Sequence, residues 1–576
     1  MGRASAPVSL STSIRRASVG LLFALVARAA EPSPSAPTFN RDIAPIVFSN
    51  CVVCHHPGGL GPFSLTSYAE VKKRARQIAE VTGTRLMPPW MPEPGRGVFH
   101  GERGLSAGQI AMLRQWSENG TPEGHPGDLT AKALWHDEWQ FGQPDLIVTM
   151  PESFTLPSEG KDVYRNFVVP VPLNEKRYVR AIDFHPGDAR VVHHAFLLLD
   201  TDGNARRQSG ADGAPGYSGM EAGHGVFPPP GHFTSWQPGK LPDKGSEGLS
   251  WVLEKGTDLV FQLHMRPSGK PEKVRASIGL YFTDKPPVKV PFVMPLRSTR
   301  IDIPPGAKDY MITAFYDLPV DVQLLGVLPH AHYLGRELQA WATFPDGTQD
   351  WLLHIKNWDF LWQGDYRYAT PVSLPRGTKI TMRWIFDNSS DNPRNPTNPP
   401  QRVRYGLQTT DEMGEFWLQM VTSTASDMAM LQRDHVAKVG LPDKLARSEV
   451  LLSRDPHDAA TRVELACAHY ASGLPDQAVR EAEQALRDNP NLPRAHDLLG
   501  RIYAERRDLP RTELAFAAVV RLDPENAGAH NNLGYILLLQ DRAAEAVPLF
   551  ERALALNPRD ALARESLAKA RARLRN

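Results

Sequence analysis

The sequence predicts a multidomain chain: a small all-α unit near the N-terminus, an all-β middle, and an all-α solenoid at the C-terminus. Three observations predict it. A Cys-x-x-Cys-His run opens the first unit and a capped helix closes it. From Asp145 onward, short apolar strands alternate with Gly/Pro/Asp clusters. From about Leu441, Asp-Pro and Asn-Pro pairs recur at a fixed spacing. A chain of 576 residues is too long for one core. Its formal net charge of +1 gives no pull toward nucleic acid. The 51 prolines suit a loop-rich β region better than an all-helical protein.

The N-terminus reads as an export signal. Arg15-Arg16 precede an apolar run from Val19 to Val26, and Ala27-Arg28-Ala29 offers a small-x-small cleavage site. That run is too short to span a bilayer, which needs about 20 residues. Residues 1–30 are therefore expected to be a cleaved signal peptide, with Sec and Tat export both open, and 31–37 a proline-rich linker. The mature protein is expected to be periplasmic or secreted, without a membrane span.

Cys51-Val52-Val53-Cys54-His55 has the spacing of a c-type haem attachment. Two thiols add to the haem vinyl groups, and His55 is placed as the proximal iron ligand. A zinc site needs further ligands nearby, and a redox dithiol needs a βαβ pattern; neither is present. Met87 is the candidate sixth ligand, in a loop stiffened by Pro88-Pro89, with Met91 as the alternative and core packing as the plainer role for either. Ser106 to Asn119 reads as a helix, with Ser106 as cap, Ile110, Leu113 and Trp116 at helical spacing, and Gly120 as stop. Over residues 38–125 this resembles cytochrome c.

The strands of the middle region are expected at Asp145–Met150, Tyr178–Phe184, Val191–Leu199, Ala276–Phe282, Leu338–Phe344 and Lys379–Phe386. Residues 203–248 and 387–403 read as long loops. Histidines stand out. His330 and His332 are two apart, so a strand aims both imidazoles at one point. His193 and His194 are adjacent, and share a metal only at a strand end or a bulge. His264 and Met413 are further candidate ligands. Three histidines alone also suit zinc, but thioether sulfur shifts the balance to copper, because it prefers Cu(I). His100, His185, His224, His232 and His354 read as surface histidines.

This set resembles the copper type II, ascorbate-dependent monooxygenases, the family of peptidylglycine α-hydroxylating and dopamine β-monooxygenases. The resemblance runs from about Asp145 to Thr424 and includes Met150-Pro151 and Asp162-Val163-Tyr164. It implies two jelly-roll-like sandwich domains, over 140–285 and 286–430. It implies two copper ions, one held by His193, His194 and His264, the other by His330, His332 and Met413. The second is implied to be the catalytic, oxygen-activating site and the first to supply an electron. Two departures stand out. The region lacks cysteine, whereas the animal enzymes are disulfide-stapled. Leu328 occupies the place where the peptide enzyme carries a carboxylate-binding arginine, so a peptidylglycine substrate is not implied.

Asp455-Pro456, Asn489-Pro490, Asp523-Pro524 and Asn557-Pro558 recur every 34 residues, the tetratricopeptide period, over 441–576. Leu499/Leu533 and Gly500/Gly534 keep the same spacing. Such a stack leaves a surface for a protein partner. Cys467 reads as a small buried residue within it. The expected function is thus an exported monooxygenase that hydroxylates a C–H bond of a small-molecule or peptide substrate with O2. Its electrons come from an ascorbate-like reductant or an electron-transfer protein, through the fused haem. The alternative is a non-enzymatic haem/copper electron-transfer or scaffold protein.

Overall fold

The computed structural model describes residues 36–575, apart from 136–138, 161, 221, 224, 241, 246 and 559. The expected signal peptide and His224 lie outside the described residues.

Four helices, Ala44–Asn50, Tyr68–Lys73, Ala75–Gly83 and Ala107–Glu118, form the first unit. They close over Phe39, Ile43, Val47, Leu113 and Trp116. The last begins where Ser106 and Gln109 cap it reciprocally. It ends before Gly120, whose φ of +80° only glycine adopts freely. Between the third and fourth helices the chain leaves this core. Residues 90–100 run along the second β unit as a strap: Glu93 N–H donates to His354 O at 2.8 Å and His100 N–H to Arg367 O at 2.8 Å. Phe99 is buried in that unit's core. The first unit is therefore stitched to strands about 260 residues further along the chain, which local periodicity does not disclose.

The middle region is β-rich. Its first part has two antiparallel sheets. One orders Leu146–Thr149, Ser277–Thr283, Arg177–His185 and Trp251–Leu253. The other has Val163–Pro170, Asp258–Met265 and Val192–Asp200 at its centre. Side chains from both, such as Phe167, Leu197, Phe261, Ile278 and Leu280, share one core. The second part repeats the plan. Phe292–Arg297, Gly414–Val421, Val322–Ala331 and Tyr366–Leu374 form one sheet. Tyr310–Asp317, Lys379–Phe386, Gly335–Thr343 and Gln349–Ile355 form the other. Trp358, Trp384, Phe386 and Phe416 fill the space between them. Residues 203–248 are mostly irregular, with a short helix at Asn204–Gln208 and two-residue strands.

Two histidines expected at the surface are packed instead. His354 stacks on Trp351 with ring centroids 4.8 Å apart and bonds Glu337 at 2.9 Å. His232 is held by the carbonyls of Pro230 and Leu249. His185 is half-buried against Trp139, while His100 is exposed. His232 bonds through both ring nitrogens and His354 through Nε2, which spacing along the chain does not report.

Helices from Leu441–Arg454 to Ala561–Arg573 make the C-terminal stack. Matched positions have a steric cause. A Cβ at Gly500 would lie 2.8 Å from the Phe516 ring, and one at Gly534 3.0 Å from Phe550. Glycine lets paired helices approach over an aromatic ring in successive repeats. Cys467 is half-buried between helices. Among the described residues no helix is long and apolar enough to cross a membrane. Gly500→Val is expected to force these helices apart at a cost of about 1–3 kcal/mol. Urea unfolding followed by far-UV circular dichroism checks this; a midpoint within error of wild type would refute the close packing.

Candidate metal centres

The first histidine cluster owes its shape to a strand irregularity. Strands Val192–Asp200 and Asp258–Met265 pair in register until His264 faces His194, after which Met265 faces Val192. His193 is the extra residue of a β-bulge, which turns it to the same side as His194. The three Nδ1 atoms form a triangle: His193 to His264 at 3.2 Å, His193 to His194 at 3.3 Å, and His194 to His264 at 3.3 Å. An imidazole nitrogen is either a donor or an acceptor, so at least one of these pairs meets like to like. A cation at the centre removes that conflict. The centre lies roughly 1.9 Å from each nitrogen, close to the ~2.0–2.1 Å of a metal–imidazole bond.

Two neighbours orient this cluster. His264 donates from Nε2–H to Asp162 Oδ2 at 2.7 Å, which leaves its Nδ1 lone pair facing inward. Tyr164 stacks on His264 with centroids 4.1 Å apart. Burial lowers His193 to about 4 and drives His194 well below the usual histidine range, with neighbouring histidines adding to it. Neutral imidazoles are what a metal needs. This is the one group of three or more His, Cys, Asp or Glu side chains so clustered among the described residues.

The second cluster presents the opposite ring nitrogens. His330 donates from Nδ1–H to Gln363 Oε1 at 2.6 Å, and His332 from Nδ1–H to the Asp411 carbonyl at 3.0 Å. Both Nε2 atoms remain for a ligand. The rings lie 5.3 Å apart, and burial lowers His332 to about 3. His330 pairs with Glu415 and Ala331 with Gly414, so Met413 arrives beside His332 at the end of the neighbouring strand. Glu412 fixes this junction. Its fully buried carboxylate accepts the backbone N–H of Leu334 at 2.9 Å, of Met413 at 2.8 Å and of His332. Glu412 immediately precedes Met413, yet nothing in sequence marks an acidic residue as buried.

Both clusters open on one cavity of about 770 Å3 between the β units, lined by His194, His330, His332 and Met413 among others. Phe360 stands between them. Its buried ring lies 6.0 Å from His193, 5.8 Å from His332 and 6.5 Å from His330.

The Cys-x-x-Cys-His run caps the helix Ala44–Asn50. His55 donates from Nδ1–H to Phe63 O at 3.0 Å, leaving Nε2 for an axial bond. Burial pushes the Cys51 thiol up to about 12 and raises Cys54. Both thiols are free, and the donor set fits covalent haem. Cys54 lies near the loop of residues 203–248, part of which lines the cavity: a Cβ placed on Gly239 would lie 3.5 Å from its sulfur. Met87 is half-buried after the helix Ala75–Gly83. Met91 is engaged elsewhere, its sulfur accepting the Asp359 N–H at 3.2 Å, next to Phe360.

The helix Leu441–Arg454 also reaches the second cluster. Arg454 pairs with Asp411 at 2.7 Å, the residue whose carbonyl holds His332. Arg297 bridges Asp443 at 3.1 Å and Glu415 at 3.2 Å.

The C-terminal helices are tetratricopeptide repeats: residues 445–502 and 498–561 match that family. Solved structures similar to the chain include "Crystal structure of MamA protein", 18% identical with a TM-score of 0.23, covering 25% of this chain and 78% of that one. YrrB, titled a TPR protein with an unusual peptide-binding site, is 20% identical with a TM-score of 0.21, covering 21% and 63%. The first TPR of Spaghetti, bound to an HSP90 peptide, is 20% identical with a TM-score of 0.20, covering 21% and 97%. No curated protein matches the chain.

Glu412→Ala leaves several buried N–H groups without an acceptor, each costing about 1–3 kcal/mol. A drop in the urea midpoint well beyond that of an exposed Glu→Ala control is expected. Arg454→Ala, which removes one partly exposed ion pair, is expected to cost under about 1 kcal/mol.

Proposed function

We propose that the protein is an exported copper-dependent monooxygenase, which hydroxylates a C–H bond with O2 using electrons that pass through a covalently attached c-type haem. The observation that carries this reading is the pair of histidine clusters opening on one cavity, one offering three Nδ1 atoms and the other two Nε2 atoms with a methionine nearby. His193, His194 and His264 would hold one copper; His330, His332 and Met413 would hold the other. Cys51, Cys54 and His55 would hold the haem, with Met87 as the sixth-ligand candidate. Bound copper supplies one-electron chemistry and, at the methionine site, activation of dioxygen.

The chain's own groups have definable tasks. Asp162 and the Asp411 carbonyl fix the ring orientations. Glu412 keeps Met413 and His332 on one rigid junction. Phe360 and the cavity walls exclude water between the clusters. The closeness of Cys54 to the loop around Gly239 supports electron delivery from the first unit, and an external reductant would replenish it. One oxygen atom would enter the substrate and the other leave as water, consuming two electrons from the reductant and two protons from solvent.

The tetratricopeptide match favours a second reading, a haem/copper electron-transfer or scaffold protein that docks a protein partner on its repeats. Product formation separates the two.

Elemental analysis is expected to find two coppers per chain, falling to about one in His264→Ala. Met413→Ala is expected to retain the first copper and lose oxygenation, because soft sulfur stabilises Cu(I). A single metal per wild-type chain, or zinc taken in preference to copper under reducing conditions, would overturn the proposal. Protein from a host that matures c-type cytochromes is expected to keep haem stain in denaturing gels. A Cys51→Ala/Cys54→Ala variant that still stains would remove the haem from the scheme.

A further inference from the structure

We infer that the substrate is an uncharged, largely apolar small molecule seated between the two β units; this rests on the copper-oxygenase reading of the same cavity. Its volume of about 770 Å3 falls within the range of small-molecule pockets, roughly 300–1,000 Å3. The walls are built from Phe196, Met220, Phe292, Val293, Leu328 and Trp417. Phe196 and Met220 are 37% and 44% exposed, so two large apolar side chains face solvent where they line the site. Burying them against an apolar ligand is favourable.

The charge inventory is as informative. Among the described residues that line the cavity there is no lysine or arginine. Its one carboxylate, Glu415, is buried and already engaged. It accepts the Trp417 indole N–H at 2.7 Å and pairs with Arg297 at 3.2 Å. A carboxylate or phosphate substrate would find no cationic side chain, and an ammonium substrate would compete with Arg297 for Glu415. An ion entering here leaves water without a compensating partner. Neutral groups remain to orient a ligand: Thr409 and Gln432 carry a hydroxyl and an amide. The amide N–H of Gln262 is already given to Asn166 Oδ1 at 2.9 Å and to Met220 O at 2.8 Å.

Three probes of nearly equal size test this: methyl 2-naphthoate, 2-naphthoate and 2-naphthylmethylammonium. Binding to the full chain, metal-free and copper-loaded, is measured by calorimetry. The neutral ester is expected to bind at least tenfold tighter than either ion in the metal-free chain, where the side chains alone decide; the copper-loaded chain shows how much a carboxylate gains from the metal. An ion that matches the ester in the metal-free chain would overturn the inference. Leu328→Arg places a cation on the wall and is expected to raise 2-naphthoate affinity relative to the ester at least tenfold. If the ratio is unchanged in a variant that melts like wild type, the probes bind elsewhere and the inference falls. Because binding is read without turnover, its failure leaves the copper stoichiometry standing, and a failure of copper binding leaves this selectivity measurable in the metal-free chain.

Discussion

The buried carboxylate of Glu412 is the constraint on which the second histidine cluster depends. It lies where two segments about 80 positions apart in sequence meet, and it gathers the backbone N–H groups of both. A carboxylate with no exposed surface persists only where such donors replace its lost water. Burial nevertheless pushes it up to about 8, against the pull of those donors. The result is a rigid junction that presents Met413 beside His332, with little freedom for either to drift.

Around that junction the other units contribute parts rather than merely flanking it. Arg454 of the C-terminal helices grips Asp411, and Asp411 in turn holds His332. Met91 of the N-terminal strap grips Asp359, and Phe360 next to it fills the interval between the two clusters. Trp90 and Phe99 of the same strap pack on Tyr366. The second cluster is thus braced from both ends of the chain, by the N-terminal strap through Asp359 and by the C-terminal helices through Asp411.

The two clusters also differ in a way that matters chemically. One turns Nδ1 inward because Asp162 takes the Nε2 proton of His264. The other offers Nε2 because carbonyl oxygens take the Nδ1 protons. Each choice is made by a residue that binds no metal. The two clusters thus turn different ring nitrogens toward one cavity.

Much of this was legible in the amino-acid order. The Cys-x-x-Cys-His spacing, the capped helix after Ser106, the 34-residue recurrence of Asp-Pro and Asn-Pro, and the alternation of short strands with turn residues are local signals. Local signals survive in one dimension. So did the requirement that His193 and His194 meet at an irregularity, because strand periodicity alone forbids them a common side. The sequence could not disclose the bulge opposite Met265, the burial of Glu412, the packing of His232 and His354, or the strap of residues 90–100. Those depend on which strand lies against which, and on whether a polar group finds its partner across the fold. Pairing and burial are properties of three-dimensional proximity, so only the tertiary structure decided them.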